Sequence, residues 1–228
     1  PDIRGAVKHG NFINYYSFHN VEQRTNNICP EMFPKILANE IYCMDIGCNT
    51  GELTKELNVY LKTIYPVANI KILGIDIDPT LIQRAQEAND NPQISYLPLD
   101  IMRDEDRLDI QKYLQNHGKE TFDIVFCFSV TMWIHLNNGD NGLIEFLKYI
   151  KLISNTIVIE PQPWHCYRNA QRRVKKSGSS FEHYDGLKIR SDVDITIEKI
   201  LLEKSHLKVY ESPHSSWKRK IQSFVRTT

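Results

Sequence analysis

Ile41-Tyr42-Cys43-Met44-Asp45-Ile46-Gly47-Cys48-Asn49-Thr50-Gly51 is an apolar run that meets an aspartate, turns on glycine and opens into a new segment. In that segment Leu53, Leu57, Tyr60, Leu61 and Ile64 recur at the helical period, so a strand passes directly into an amphipathic helix. A strand that stops at a glycine turn and feeds a helix N-terminus leaves its carboxyl end open to a ligand, the usual site in open α/β sheets. The turn is not the dinucleotide fingerprint, because Asn49 stands where a second glycine would let a pyrophosphate approach. The D-x-G-x-x-x-G spacing from Asp45 to Gly51 better suits a backbone passing close to the methionine tail of S-adenosylmethionine. An ordinary strand-to-helix turn remains the alternative.

Two further strands repeat the pattern. Ile70-Lys71-Ile72-Leu73-Gly74-Ile75-Asp76 ends in an acid, and a carboxylate at the second strand's tip can accept both ribose hydroxyls of an adenosyl cofactor. Ile77 follows it, and Asp78-Pro79 starts another helix with an N-cap acid and a proline at the first helical position. Ile94-Ser95-Tyr96-Leu97-Pro98-Leu99-Asp100 ends in a third aspartate, placed to take an adenine amino group, with Ile101 beside the ring. Asp45 has two readings, a ligand or the cap of its own turn.

The remaining chain alternates as a doubly wound sheet should. Phe122–Phe128 and Thr156–Glu160 read as buried strands, with a helix carrying Leu143, Phe146, Leu147, Ile150 and Ile153 between them. A basic helix and loop span residues 168–186, Ser191 caps a helix with Ile197, Ile200 and Leu201, and strands near Leu207–Tyr210 and Ile221–Val225 close the sheet. The expected fold is a Rossmann-like α/β domain with a seven-stranded, mostly parallel sheet and helices on both faces. Residues 1–40 are expected to form an N-terminal arm or lid, and residues 41–228 the S-adenosylmethionine-binding domain.

At 228 residues and 41% hydrophobic content the chain can bury a core as one domain. Its formal net charge is zero, so a polyanion would have to be held by a local basic patch. Five scattered cysteines form no C-x-x-C pair, which argues for a reducing compartment and against a metal site. With no signal peptide and no long apolar run, the expectation is a soluble protein without membrane contact.

Aromatics, amides and a histidine crowd Gly10-Asn11-Phe12-Ile13-Asn14-Tyr15-Tyr16-Ser17-Phe18-His19, with Glu22-Gln23-Arg24 just beyond. Val130-Thr131-Met132-Trp133-Ile134-His135-Leu136-Asn137 lies at the mouth of the fourth strand and Glu160-Pro161-Gln162-Pro163-Trp164 at that of the fifth. Such aromatics can stack on bases or wall a sulfonium. Trp133, Trp164 and His135 could equally belong to the core.

Together, Gly10-Asn11-Phe12 with Tyr15-Tyr16, Asp45-Ile46-Gly47-Cys48-Asn49, Trp133-Ile134-His135-Leu136-Asn137 with Gly139-Asp140 and Gly142-Leu143, and Glu160-Pro161-Gln162-Pro163-Trp164 resemble the bicoid-interacting-protein-3 family. These are S-adenosylmethionine-dependent RNA methyltransferases acting on a 5′-terminal phosphate. One branch caps the γ-phosphate of a small nuclear RNA; a shorter, cytoplasmic branch methylates 5′-monophosphates of histidine transfer RNA and precursor microRNA. Ser129-Val130-Thr131-Met132-Trp133 and Tyr167-Arg168-Asn169-Ala170 look like the shorter branch, whereas Asn14-Tyr15-Tyr16-Ser17 is closer to the capping branch. The expected activity is methylation of an RNA 5′-monophosphate, by a cytoplasmic monomer that needs no metal. γ-Phosphate capping and small-molecule O-methylation are the alternatives.

The resemblance implies the residue roles. Gly47 and Asn49 line the methionine tail, Asp76 holds the ribose, and Asp100 and Ile101 hold the adenine; Asp45 and Ile77 are also counted as cofactor-binding, and the backbone near Cys127 touches the cofactor. Arg24 reaches the cofactor carboxylate and Tyr16 closes over it. Asn11, Tyr15, His135 and Gln162 are the candidates for orienting the phosphate, with Arg24 shared between cofactor and phosphate. Arg168, Arg172, Arg173, Lys175 and Lys176 form one basic stretch suited to an RNA backbone, or simply a solubilising helix face, and Lys218-Arg219-Lys220 lies near the last strand. A terminal phosphate is already anionic at neutral pH, so alignment rather than a general base is expected to drive the reaction.

Overall fold

A computed structural model describes residues 7–12, 15 and 21–227. Strands β1 (Glu40–Ile46), β2 (Asn69–Asp76), β3 (Ile94–Pro98), β4 (Phe122–Phe128), β5 (Ser154–Glu160), β6 (His206–Glu211) and β7 (Gln222–Arg226) form one sheet. Its order is β3-β2-β1-β4-β5-β7-β6. β1 to β5 run parallel, and β7 lies antiparallel to both β5 and β6. The helices are α1 (Val21–Thr25), α2 (Glu52–Ile64), α3 (Pro79–Glu87), α4 (Asp104–Asn116), α5 (Thr131–Leu152), α6 (Trp164–Lys176) and α7 (Val193–Leu202).

The two-residue period of the central strands explains the layers. On β1, Ile41 and Cys43 pack against Leu53, Leu57 and Leu61 of α2. Tyr42, Met44 and Ile46 face the opposite core, built with Leu143, Phe146 and Ile150 of α5 and Val193, Ile197 and Leu201 of α7. β4 alternates in the same way, sending Phe126 to the first core and Val125 and Cys127 to the second. Strands apolar on both sides are what a sheet covered by helices on both faces requires.

The sheet reverses its winding between β1 and β4, which opens a crevice beyond their carboxyl ends. Gly47 turns the chain out of β1 at φ 73°, and a Cβ there would come within 2.5 Å of Val130 Cγ2. Only glycine satisfies both the left-handed backbone and this contact.

Six local details depart from the sequence reading. Asp45 sits one residue inside β1, not at its end, and Asp100 lies two residues beyond β3. α4 has only Ile110 and Leu114 buried, too weak a periodic signal to be read as a helix. α5 starts at Thr131 and bends at Gly139 (φ 71°, ψ −175°), so the Trp133–Leu136 segment is helical. Trp164 opens α6, and α7 starts at Val193 behind Asp192 rather than Ser191.

Candidate active site

Two cavities meet above the crevice. The first, about 330 Å³, lies over the tips of β1, β2 and β4 and is roofed by His9, Gly10, Asn11 and Tyr15. Asp76 is fixed at its wall: Oδ2 accepts from the Asn49 amide at 2.9 Å and Oδ1 from the Asp78 amide at 3.0 Å. Burial pushes the Asp76 carboxyl up to about 6, against the pull of those amides. Asp45, deeper in, accepts from Thr54 Oγ1 at 2.6 Å, and burial raises it to about 7 despite Thr54 and the Arg24 charge. Ile77, Leu99, Asp100 and Ile101 line the far end.

The roof is pinned by backbone and side-chain contacts. Asn49, itself at φ 52°, donates its Nδ2 to the Phe12 carbonyl at 3.0 Å. Asn137 Nδ2 donates to the Lys8 carbonyl at 2.9 Å. Gly10 passes so close to Trp133 that a Cβ would lie 2.1 Å from the indole.

The second cavity, about 860 Å³, lies beside the first and shares Tyr15, Ser129 and Trp133 with it. Its other walls include Phe12, Gln162, Asn169, Arg173, Trp217 and Arg219. Among the described residues no acidic side chain lines it. Under the shared wall lies a buried ionic cluster. Arg24, 1% exposed, donates through Nη2 to Tyr15 Oη (2.7 Å), Ser129 Oγ (2.7 Å) and Glu160 Oε1 (3.1 Å). Ser129 Oγ also donates to Glu160 Oε1 at 2.7 Å and accepts from Arg219 Nη1 at 2.5 Å. Burial opposes ionisation of Glu160, but Arg24, Arg219 and Ser129 outweigh it and hold the carboxyl below its usual range. Ser129 occupies φ 59°, an uncommon backbone state for a non-glycine residue, at the centre of this cluster.

The expected site residues divide. Gly47, Asn49, Asp45, Asp76, Ile77, Asp100, Ile101 and Arg24 all line the first cavity. Cys127 does not: it is fully buried in the core, and Phe128, Ser129 and Val130, further along the chain, provide the wall. Tyr15 lies on the shared wall, whereas Asn11 belongs to the cofactor side, with Nδ2 donating to Asp78 Oδ2 at 2.6 Å and Oδ1 buried without a partner. Gln162 lines the second cavity, but its amide is occupied by the Ser129 carbonyl (2.6 Å) and the Met132 amide (3.1 Å). Tyr16 lies outside the described residues.

His135 is a correction. It is 0% exposed and lines neither cavity. Its Nε2 lies 2.7 Å from Asp140 Oδ1 and its Nδ1 3.0 Å from Tyr167 Oη, and Asp140 in turn accepts from the Lys188 amide at 2.8 Å. On α5, Trp133 and Asn137 face the first cavity, which turns His135 inward, where it links Asp140 just past the kink to Tyr167 of α6. Of the basic stretch, all five side chains are exposed, but only Arg173 lines the second cavity, its guanidinium 5.4 Å from the Phe12 ring centre. Arg168, Arg172, Lys175 and Lys176 remain a surface patch.

Ser129, Asn169 and Trp217 are site residues that the sequence did not single out as such, and Arg219 stands there only as one of three basic residues near the last strand. Ser129 carries a usable signal, since it follows β4 directly where Phe128 pairs with Glu160. Arg219 sits between Lys218 and Lys220 with nothing local to distinguish it. Among the described residues, no three His, Cys, Asp or Glu side chains gather as metal ligands.

Profile comparisons match residues 44–152 to the methyltransferase domain and residues 122–227 to Bicoid-interacting protein 3 (Bin3). The Xenopus laevis pre-miRNA 5′-monophosphate methyltransferase is 39% identical over 236 residues, 96% of this chain and 92% of that protein. The chain belongs to the Bin3 family. The Homo sapiens RNA 5′-monophosphate methyltransferase is 36% identical, covering 96% of this chain and 81% of its own length. Among solved structures, the plantazolicin methyltransferase BpumL in complex with SAH aligns with a TM-score of 0.58 at 14% identity, over 99% of this chain and 96% of that one, a likeness of fold alone.

This Bin3-family chain is therefore a methyltransferase, and S-adenosylmethionine is its methyl donor. The first cavity fits that molecule. The Asp76 carboxylate and the unpartnered Asn11 Oδ1 can accept ribose hydroxyls, and Asp45 and Arg24 supply opposite charges for an amino-acid tail. Gly47 leaves room for the backbone to touch the ligand, while Leu99 and Ile101 offer an apolar slot for a base.

Proposed function

We propose that this chain transfers a methyl group from S-adenosylmethionine to the 5′-terminal monophosphate of RNA. The observation that carries the reading is the wall of Tyr15, Ser129 and Trp133 shared by a nucleoside-shaped cavity and a cationic, aromatic one. The printed names of the Xenopus and human relatives support the same chemistry.

When bound, S-adenosylmethionine supplies an electrophilic methyl carbon on a sulfonium. A phosphate monoester has a second pKa of about 6, so its oxygens need no base to become nucleophilic at neutral pH. The second cavity matches that requirement. Its histidine, His165, is kept neutral by partial burial and by Lys218, Arg219 and Arg168, which makes it a weak base. What the protein contributes is alignment: Tyr15, Ser129 and Trp133 set the separation of the two ligands, and Arg24 fixes both hydroxyls from beneath. Holding two reactants in line supplies about 7–11 kcal/mol in favourable cases. Phe12, Trp217 and Arg173 offer faces on which the terminal nucleotides stack.

Labelled methyl transfer to one hairpin RNA bearing a 5′-monophosphate, 5′-triphosphate or 5′-hydroxyl tests the proposal. Label should appear on the monophosphate form. Equal labelling of the triphosphate form returns the chain to the capping chemistry, and no labelling of any RNA overturns the reading.

A further inference from the structure

Arg219 is 8% exposed, yet the residues flanking it turn away from the interior. Lys220 pairs with Glu211 at 2.6 Å, and Lys218 is exposed at φ 60°. A tight turn drives the arginine inward: Ser215 N donates to the Arg219 carbonyl at 2.7 Å, and Arg219 N to Ser215 Oγ at 3.2 Å. Its guanidinium is then used unevenly. Nη1 donates to Ser129 Oγ and lies 3.5 Å from Glu160 Oε1. Nη2 touches only the Cys166 sulfur at 3.8 Å, and Nε is buried without a hydrogen-bond partner.

Nε and Nη2 form one edge of the guanidinium fork, the edge that binds two oxygens of a phosphate or carboxylate side by side. That edge carries no protein oxygen, on a residue that lines the second cavity. A buried charged donor without a partner is unfavourable in isolation. Charge points the same way. Arg24 and Arg219 bring two buried positive charges against the single Glu160 carboxylate. The remaining nearby carboxyl, Asp45, acts on Arg24 from the cofactor side.

We propose that the Nε/Nη2 edge of Arg219 grips the terminal phosphate of the RNA and is what makes the enzyme read the 5′ end, while Arg24 serves the amino-acid tail of the cofactor. This division of labour rests on the function proposed above. Glu160 holds both arginines in place, and Ser129 at the junction keeps them apart.

Equilibrium binding of a hairpin with a 5′-monophosphate and of the same hairpin with a 5′-hydroxyl, to the intact chain and to Arg219→Gln, decides the matter. Calorimetry with S-adenosylhomocysteine on both proteins reports the cofactor side. The unsubstituted protein should favour the phosphorylated hairpin by about tenfold to a hundredfold, the worth of a charge-assisted pair of hydrogen bonds. In Arg219→Gln the two hairpins should bind within about twofold of each other, with S-adenosylhomocysteine affinity changed by less than about threefold, since the cofactor sees Arg24. The unliganded variant should melt no lower than the parent, because an unmatched buried charge is gone. Retained preference for the phosphorylated hairpin in Arg219→Gln overturns the assignment, and so does equal weakening of RNA and cofactor, which would make Arg219 a structural partner of Glu160. Absence of any preference in the unsubstituted protein instead removes the functional reading on which the assignment stands.

Discussion

The two cavities are built by different means. The cofactor cavity is lined largely by strand tips and the turns that follow them, each within a few residues of a regular element: Gly47 after β1, Asp76 at the end of β2, Ile101 just past β3. The substrate cavity draws on distant parts of the chain: Phe12 before the first strand, Gln162 after β5, a face of α6 that carries Arg173, and the turn before β7 that carries Arg219. The first is a product of the fold. The second is assembled across it, and the buried Arg24–Glu160–Arg219 cluster is the seam between them.

If the seam holds both halves, removing its anion should have the largest effect. Glu160→Gln removes the carboxylate that both buried guanidinium groups contact, and we expect a stability loss of about 3–5 kcal/mol in denaturant titrations. A loss below about 1 kcal/mol would show that the halves are independent of the cluster.

A smaller and one-sided effect is expected at Asp76. Asp76→Asn should weaken S-adenosylhomocysteine binding about tenfold at pH 7.5 in calorimetry, with RNA binding nearly unchanged. The carboxyl titrates near 6, so cofactor affinity of the parent should fall as pH drops through about 6. The variant should keep only the step near pH 7 that belongs to Asp45. In the free protein the sign reverses. A folded-state value raised above the ordinary one means that ionising Asp76 removes stability as pH rises from about 4 through about 6. Loss of RNA binding in parallel with cofactor binding would break the distinction between the cavities.

The smallest functional effect belongs to His135. His135→Ala strips Asp140 and Tyr167 of a partner and should lower stability by about 1–3 kcal/mol, while kcat/KM on the monophosphate hairpin stays within about twofold. A hundredfold fall in kcat/KM would return this histidine to the reacting groups.

The contrast between the halves also explains what the sequence made legible. Asp45, Gly47, Asp76 and Asp100 could be read because strand ends and turns carry local signals of apolar period, glycine and acid. His135 misled for a definable reason: helix α5 begins at Thr131, earlier than the apolar pattern announces, and its rotation puts Trp133 on the cavity and His135 in the core. Cys127 fell just short of the lining because its side chain packs into the core and the next residues, Phe128 to Val130, form the wall. Arg219 was hidden for the opposite reason. Its burial comes from a turn whose geometry rests on Ser215 and on Lys218 at positive φ, and three consecutive basic residues look alike until that turn is seen.

The roof of the cofactor cavity has a consequence for turnover. Phe12, whose carbonyl Asn49 holds, and Tyr15, which walls the donor site, both also line the second cavity. Any lifting of these two residues to exchange spent donor for fresh takes two walls of the second cavity away with it. A molecule organised this way is suited to one modification per encounter, with each further methyl on the same end requiring a new visit.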